Sequence, residues 1–216
     1  MSDLAHRLRL IVVTDPACGE GRTVLEVVRA ALRGGAPAIQ LRAKHETARE
    51  ATELARALMA ETRAAGALLF VNDRVDVALA AGADGAHVGE DDLPVEAARR
   101  ITPPGFLLGM SAATPEAALQ AQRDGADYVG TGPVLATESK PDAGEAVGLL
   151  RIAAVAQAVE IPVIGIGGIA LTNAADVVRA GGAGVAVISA VMRADDPEAA
   201  TRDLLRVIDH GKNRGG

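Results

Sequence analysis

Cations, carboxylates and hydroxyls recur in short polar runs along this 216-residue chain. Arg42 and Lys44 belong to Gln40-Leu41-Arg42-Ala43-Lys44. Lys140 closes Gly132-Pro133-Val134-Leu135-Ala136-Thr137-Glu138-Ser139-Lys140. Guanidinium and ammonium groups of this kind suit phosphate or diphosphate oxygens. Asp73 follows Asn72, and Asp92 ends Gly89-Glu90-Asp91-Asp92. Two carboxylates beside a bound phosphate commonly hold Mg2+, a hard ion that takes oxygen ligands and keeps substrate phosphate in its shell. Ser111, Thr137, Ser139 and Ser189 add hydroxyl donors, and Gly167-Gly168 lets backbone approach a ligand closely. Each group also has a plainer reading. Asn72, Asp73, Asp91 or Asp92 would cap a helix, Ser111 would serve a local turn, and the glycine pair would form a tight turn. Those readings do not explain why polar groups follow nearly every apolar run.

The runs that must position them alternate with helix-like segments eight times. β-prone stretches fall at 8–14, 38–42, 68–71, 85–88, 106–110, 128–131, 162–166 and 184–188. Helical stretches follow at 22–33, 46–65 and 75–81, then from Pro94, from Thr114-Pro115-Glu116, and at 149–159, 173–180 and 197–208. Strict strand–helix alternation argues a parallel sheet. Eight units in a chain of this size argue a single α/β domain, a closed (β/α)8 TIM barrel. A doubly wound open sheet lacks support, because no Gly-x-Gly-x-x-Gly follows the first strand. Gly35-Ala36-Pro37, Gly82-Ala83-Asp84, Gly125-Ala126-Asp127 and Gly182-Ala183-Gly184 precede the second, fourth, sixth and eighth strands, one echo for every two units. Residues 1–210 are expected to form the barrel, and 211–216 a disordered tail. In such barrels the site lies at the C-terminal ends of the strands. That rule gathers Gln40, Arg42, Lys44, Asn72, Asp73, Asp92, Ser111, Thr137, Ser139, Lys140, Gly168 and Ser189 on one rim. The loops after the seventh and eighth strands match the usual barrel phosphate site.

Composition narrows the partners. Hydrophobic residues make up 49% of the chain, yet it holds only two phenylalanines, one tyrosine and no tryptophan. Base-stacking modules depend on aromatic platforms, so nucleic acid is not an expected partner, and the net charge of −6 agrees. Cys18 is the only cysteine and reads as incidental. The absence of any internal disulfide fits a reducing cytoplasm. No apolar leader or membrane span is evident. Small phosphorylated molecules are the expected partners, and a homo-oligomer is left open. There is no nucleophilic triad and no zinc-type spacing. Of the four histidines only His87 falls inside a strand, where it reads as a satisfied core or rim residue.

Taken in order, these pieces resemble the thiamine phosphate synthase family. The resemblance rests on Gln40-Leu41-Arg42-Ala43-Lys44, Asn72-Asp73, Gly89 to Asp92, Gly109-Met110-Ser111, Gly132 to Lys140, Gly165-Ile166-Gly167-Gly168-Ile169 and Val187-Ile188-Ser189. It implies a transferase that joins a hydroxymethylpyrimidine diphosphate to a thiazole phosphate, giving thiamine monophosphate and diphosphate. It places the pyrimidine diphosphate on Gln40, Leu41, Arg42, Ala43, Lys44, Asn72, Ser111 and Lys140. It places the thiazole phosphate on Thr137, Glu138, Ser139, Gly168, Ile188 and Ser189, and Mg2+ on Asp73 and Asp92. Lys140, Arg42 and Ser111 would act on the reacting diphosphate.

The chain departs from the family pattern at three places. Glu90 stands where Gln is usual, Ala112-Ala113 follows Ser111 where many members carry His, and Ser139 replaces Thr. None removes a metal ligand or a cation. Two rivals remain at this level. A thiazole tautomerase shares the fold and several motifs, but needs a proton-transferring residue, typically a His near the fifth strand. A non-catalytic binder of phosphorylated heterocycles would not need both the metal and the cation set.

Overall fold

A computed structural model describes residues 3–19, 21–137 and 145–213. In chain order the elements are α1 (Asp3–Arg7), β1 (Leu10–Val13), α2 (Val24–Arg33), β2 (Ala38–Leu41), α3 (Ala48–Ala65), β3 (Leu68–Asn72), α4 (Val75–Ala81), β4 (Gly85–Val88) and α5 (Val95–Ile101). There follow β5 (Leu107–Ser111), α6 (Pro115–Arg123), β6 (Tyr128–Thr131), α7 (Gly148–Ala158), β7 (Val163–Ile166), α8 (Ala174–Arg179), β8 (Gly184–Val187), α9 (Ser189–Met192) and α10 (Pro197–Asn213). The eight strands form one closed parallel barrel in sequence order, and β8 returns to β1 with Leu10 opposite Val185. The fold is therefore the (β/α)8 barrel that the alternation predicts.

Period-two alternation divides the core into two shells. Leu10, Val12, Ile39, Leu41, Leu69, Val71 and Leu108 face the helices. Ile11, Val13, Ala38, Leu68, Phe70, Tyr128, Ile164 and Ala186 face the barrel axis. Phe70 and Tyr128 meet edge-on inside the barrel, with ring centroids 5.4 Å apart. A Cβ on Gly85 would lie 2.8 Å from the Phe70 ring, so that strand gives up a side chain to admit an aromatic one.

Local chemistry sets the helix ends. Thr23 with Glu26 and Thr47 with Glu50 form capping boxes at the starts of α2 and α3. Thr114 Oγ accepts from Ala117 N at 3.2 Å, with Pro115 in the first turn, as the Thr-Pro-Glu run predicts. Gly66 and Gly82 end α3 and α4 in the left-handed conformation.

The Gly-Ala-Asp echoes acquire a physical reason. Asp84 Oδ2 accepts from Leu69 N at 2.8 Å, and Asp127 Oδ2 accepts from Leu108 N at 2.7 Å. Each carboxylate thus ties the segment entering one strand to the start of the strand before it. Arg99 reinforces the second clamp, donating to Phe106 O at 2.6 Å, Gly125 O at 2.7 Å and Asp127 Oδ2 at 2.6 Å. Asp127→Ala would strand the fully buried Leu108 N–H. It is expected to cost about 1–3 kcal/mol, read as a lower denaturation midpoint, while activity at low temperature stays near wild type. An unchanged midpoint would remove the clamp from the account.

Three features differ from the sequence reading. α1 was not foreseen. It lies just before β1, where Leu4 packs on the inner core with Leu107. α9 is a short helix directly after β8. α10 runs through Asn213 instead of ending near 208, so residues 211–213 are helical and not part of a loose tail. Gly211 lies so close to α8 that a Cβ there would be 3.1 Å from Ala175 O. Residues 214–216 lie outside the described residues. α10 also packs on α2, where Arg33 Nε meets Glu198 Oε2 at 2.9 Å. The last helix therefore covers the seam between the last strand and the first.

Candidate active site

Inward parity decides which rim residues share a space. A cavity of about 890 Å3 opens at the C-terminal ends of the strands, within the size range of small-molecule sites. Its apolar floor is built from Ile11, Val13, Ile164, Ile166, Ala186 and Ile188. Gln40, Arg42, Lys44, Asn72, Asp73, Asp92, Ser111, Thr137, Gly168, Ile188 and Ser189 all line it. Leu41 and Ala43 do not. Leu41 is buried in the helix-facing core and Ala43 packs against that core, because neighbours in a strand point to opposite faces. Glu138, Ser139 and Lys140 lie outside the described residues.

Specific bonds fix the wall formed by β2 and β3. Gln40, nearly fully buried, donates from Nε2 to Asn72 Oδ1 at 2.8 Å. That bond turns the Asn72 NH2 group the other way. Thr14 Oγ accepts from Arg42 N at 2.9 Å and anchors the residue at the end of β2.

Neither carboxylate behaves as the helix cap that the plainer reading requires. The N-cap of α4 is Arg74, which makes no side-chain cap bond, and Asp73 stands before it. Asp73 has φ 64°, the only positive φ at a non-glycine position among the described residues. Its N–H donates to His87 O at 2.7 Å. Asp tolerates this left-handed region better than most residues. The N-cap of α5 is Pro94. Asp92 instead folds onto its own loop, its Oδ2 accepting from Gly89 N at 2.7 Å. Among the described residues Asp92 Oδ1 takes no hydrogen bond.

Across the cavity, the loop after β6 stacks on the loop after β7. Val134 N donates to Ile166 O at 2.8 Å and Leu135 N to Gly167 O at 3.1 Å. Gly168 has φ 66°, and a Cβ on it would come within 2.8 Å of Ala136 O. Both the backbone angle and the space therefore require glycine. Asn173 holds the second loop from below, donating to Gly168 O at 3.0 Å and accepting from Ala170 N at 2.9 Å.

Charge is segregated. Glu90, Asp91, Asp92 and Asp73 line the cavity past β3 and β4, whereas Arg42 and Lys44 line it past the neighbouring β2 and Arg193 past β8. Among the described residues no group of three or more His, Cys, Asp or Glu is close enough to cage a metal ion. Asp73 and Asp92 both line the cavity, and carboxylate oxygens are the ligand type that Mg2+ takes, with waters and substrate phosphate as its usual remaining ligands.

His87, satisfied at the rim as its strand position suggests, lines this cavity together with Tyr128 and Arg193, which the sequence did not place there. His87 Nε2 lies 3.0 Å from Ser111 Oγ, and its Nδ1 lies 3.1 Å from Tyr128 Oη. Inward parity with Gly85 was the signal for His87. Tyr128 was visible only as a strand residue. Arg193 Nη2 pairs with Asp15 Oδ2 at 3.1 Å, where the carboxylate also accepts from Ala17 N. No local pattern pointed to Arg193, which follows a helix that the sequence did not reveal.

A family model described as thiamine monophosphate synthase matches residues 10–191. The chain belongs to that family. A thiamine-phosphate synthase of Roseiflexus castenholzii is 58% identical over 91% of this chain and 86% of that protein. A thiamine-phosphate synthase of Moorella thermoacetica is 52% identical, covering 95% of this chain and 98% of its own length. Among solved structures, thiamine phosphate pyrophosphorylase from Pyrococcus furiosus superposes with a TM-score of 0.88 at 42% identity, over 97% of this chain and 99% of that one. The family match spans all eight strands and every described residue named for the cavity except Arg193. Among the described residues no helix is long and apolar enough to cross a membrane.

Proposed function

We propose that this chain is a transferase that joins a hydroxymethylpyrimidine diphosphate to a thiazole phosphate. The bond between the pyrimidine methylene carbon and the diphosphate oxygen breaks, and the thiazole nitrogen supplies the electron pair for the new carbon–nitrogen bond. Thiamine monophosphate and diphosphate leave. The observation that carries this reading, beside family membership, is one cavity lined by Arg42 and Lys44 just past β2 together with Asp73 and Asp92 just past the neighbouring β3 and β4.

Arg42, Lys44 and Lys140 hold the diphosphate in this reading, and Gln40, Asn72 and Ser111 hold the pyrimidine portion and its bridging oxygens. Thr137, Ser139, Gly168, Ile188 and Ser189 hold the thiazole phosphate. Asp73 and Asp92 would bind Mg2+, which would neutralise the charge of the diphosphate. The aminopyrimidine ring is electron-rich and tolerates positive charge at its methylene carbon as diphosphate departs. The protein's task is then to stabilise the departing anion and to align two rings over the apolar floor, which is electrostatics and proximity. The reaction uses small soluble substrates and fits a cytoplasmic setting.

The experiment is a coupled assay of purified protein with both phosphorylated rings and Mg2+. Thiamine monophosphate is expected as product, with no isomerisation of the thiazole phosphate alone. Ala112 and Ala113 carry no proton-transferring group, and both nitrogens of the nearby His87 are engaged in hydrogen bonds. Isomerisation without coupling would reverse the assignment in favour of a tautomerase.

A further inference from the structure

The inner wall of the barrel contains a hydrogen-bonded chain that the reaction scheme leaves unused. Tyr128 on β6, His87 on β4 and Ser111 on β5 are linked in series by contacts of 3.1 and 3.0 Å. The strands make room for it. A Cβ on Gly109 would overlap the Tyr128 ring and reach within 2.5 Å of His87 Nδ1. A Cβ on Gly130 would lie 3.0 Å from His87 Cε1. Two inward positions are thus surrendered to seat one imidazole.

Donor accounting selects the direction of this chain. Tyr128 is 1% exposed, and among the described residues its hydroxyl has no partner except His87 Nδ1. Burial pushes the phenol well above its ordinary range, so it keeps its proton. If Nδ1 carried the imidazole proton, Nδ1–H would donate to the phenol oxygen and the phenol hydrogen would lack an acceptor. An unsatisfied buried donor disfavours that arrangement on the order of tenfold or more. In the alternative, the phenol donates to Nδ1, and Nε2 carries the proton and donates to Ser111 Oγ. A serine hydroxyl that already accepts at its oxygen is free to donate its own hydrogen elsewhere. Ser111 lines the cavity, so an anionic oxygen bound there can take that hydrogen.

We infer that Tyr128 and His87 are positioning residues that fix the direction of the Ser111 hydroxyl, making it a donor to anionic oxygen in the cavity. The opposite tautomer would turn Ser111 back onto the imidazole and spend its hydrogen there. This inference rests on the reading that Ser111 faces the diphosphate substrate. It adds which atom gives the proton and what enforces that choice.

Two measurements test it. The first needs no activity. Nitrogen NMR of 15N-histidine-labelled wild-type protein under mildly alkaline conditions, with His87→Gln used for assignment, reports the tautomer of His87. Protonation at Nε2 is expected, and Tyr128→Phe is expected to yield a mixture. Protonation at Nδ1 in wild type, or an unchanged tautomer in Tyr128→Phe, overturns the inference.

The second is a kinetic cycle. Tyr128→Phe is expected to lower kcat by roughly threefold to tenfold with little change in KM, the scale of one misdirected hydrogen bond. In a Ser111→Ala background the same substitution is expected to change kcat by less than about twofold, because the chain no longer has an endpoint. Multiplicative losses in the double variant would mean that Tyr128 acts on the fold, and would overturn the inference. If wild type fails to couple the two rings, the proposed function falls, while the NMR result still decides the tautomer.

Discussion

Asp73→Asn and Asp92→Asn are each expected to lower turnover on the order of 100-fold at low Mg2+, and to recover part of it as Mg2+ is raised. Each removes one full negative charge from the proposed Mg2+ site, which would have few protein ligands, so affinity would depend strongly on each of them. The structure explains why the fold should survive. Asp73 sits at φ 64°, a conformation that Asn adopts as readily as Asp. Asp92 accepts one bond from Gly89 N, and an amide oxygen can accept it equally. Melting temperatures are therefore expected to stay near wild type. The measurement is turnover against Mg2+ concentration for the three proteins. Superimposable curves would sink the metal assignment.

Lys140→Ala is expected to lower kcat by about 100- to 1,000-fold, the scale of losing one preorganised charge that meets the departing anion. The leaving diphosphate becomes more anionic as its bond breaks, so the lost interaction is larger in the transition state than in the bound substrate. A smaller rise in KM should accompany the fall. Thr137, three residues before it, lines the cavity. Lys140→Arg keeps charge without the same reach and should recover only part of the rate. Unchanged kcat with weaker binding alone would favour a binding protein over an enzyme.

The sequence exposed what local chemistry controls. Thr114-Pro115, Gly66 and Gly82 each mark a helix boundary through a bond or angle that the residue itself enforces. The inward parity of Gln40, Arg42, Asn72 and Ser111 follows from strand periodicity. What escaped depends on distant partners. His87 meets Tyr128 from 41 positions away, and no local signal distinguishes a linked histidine from a merely buried one. Arg193 is held by Asp15 across 178 positions, through closure of the barrel. Leu41 and Ala43 show the limit of reading a motif as a block. A contiguous motif gathered them with Gln40, Arg42 and Lys44, while their side chains pack on the helix-facing core. Asp73 was legible as a carboxylate at a strand end, but its left-handed backbone was not, since residue type permits that angle without requiring it.

The seam beneath α10 bears on how the chain is made. On a ribosome the protein emerges N-terminus first, so β1 must wait for β8, its hydrogen-bonding partner across Leu10 and Val185. Until then both strands have open edges, the kind that invites pairing with other chains. The helix that locks the seam, α10, follows all eight strands in the chain, and it reaches back to Arg33 on α2. Closure of the barrel therefore waits until all eight strands have been synthesised, and the partly made barrel keeps open strand edges until then.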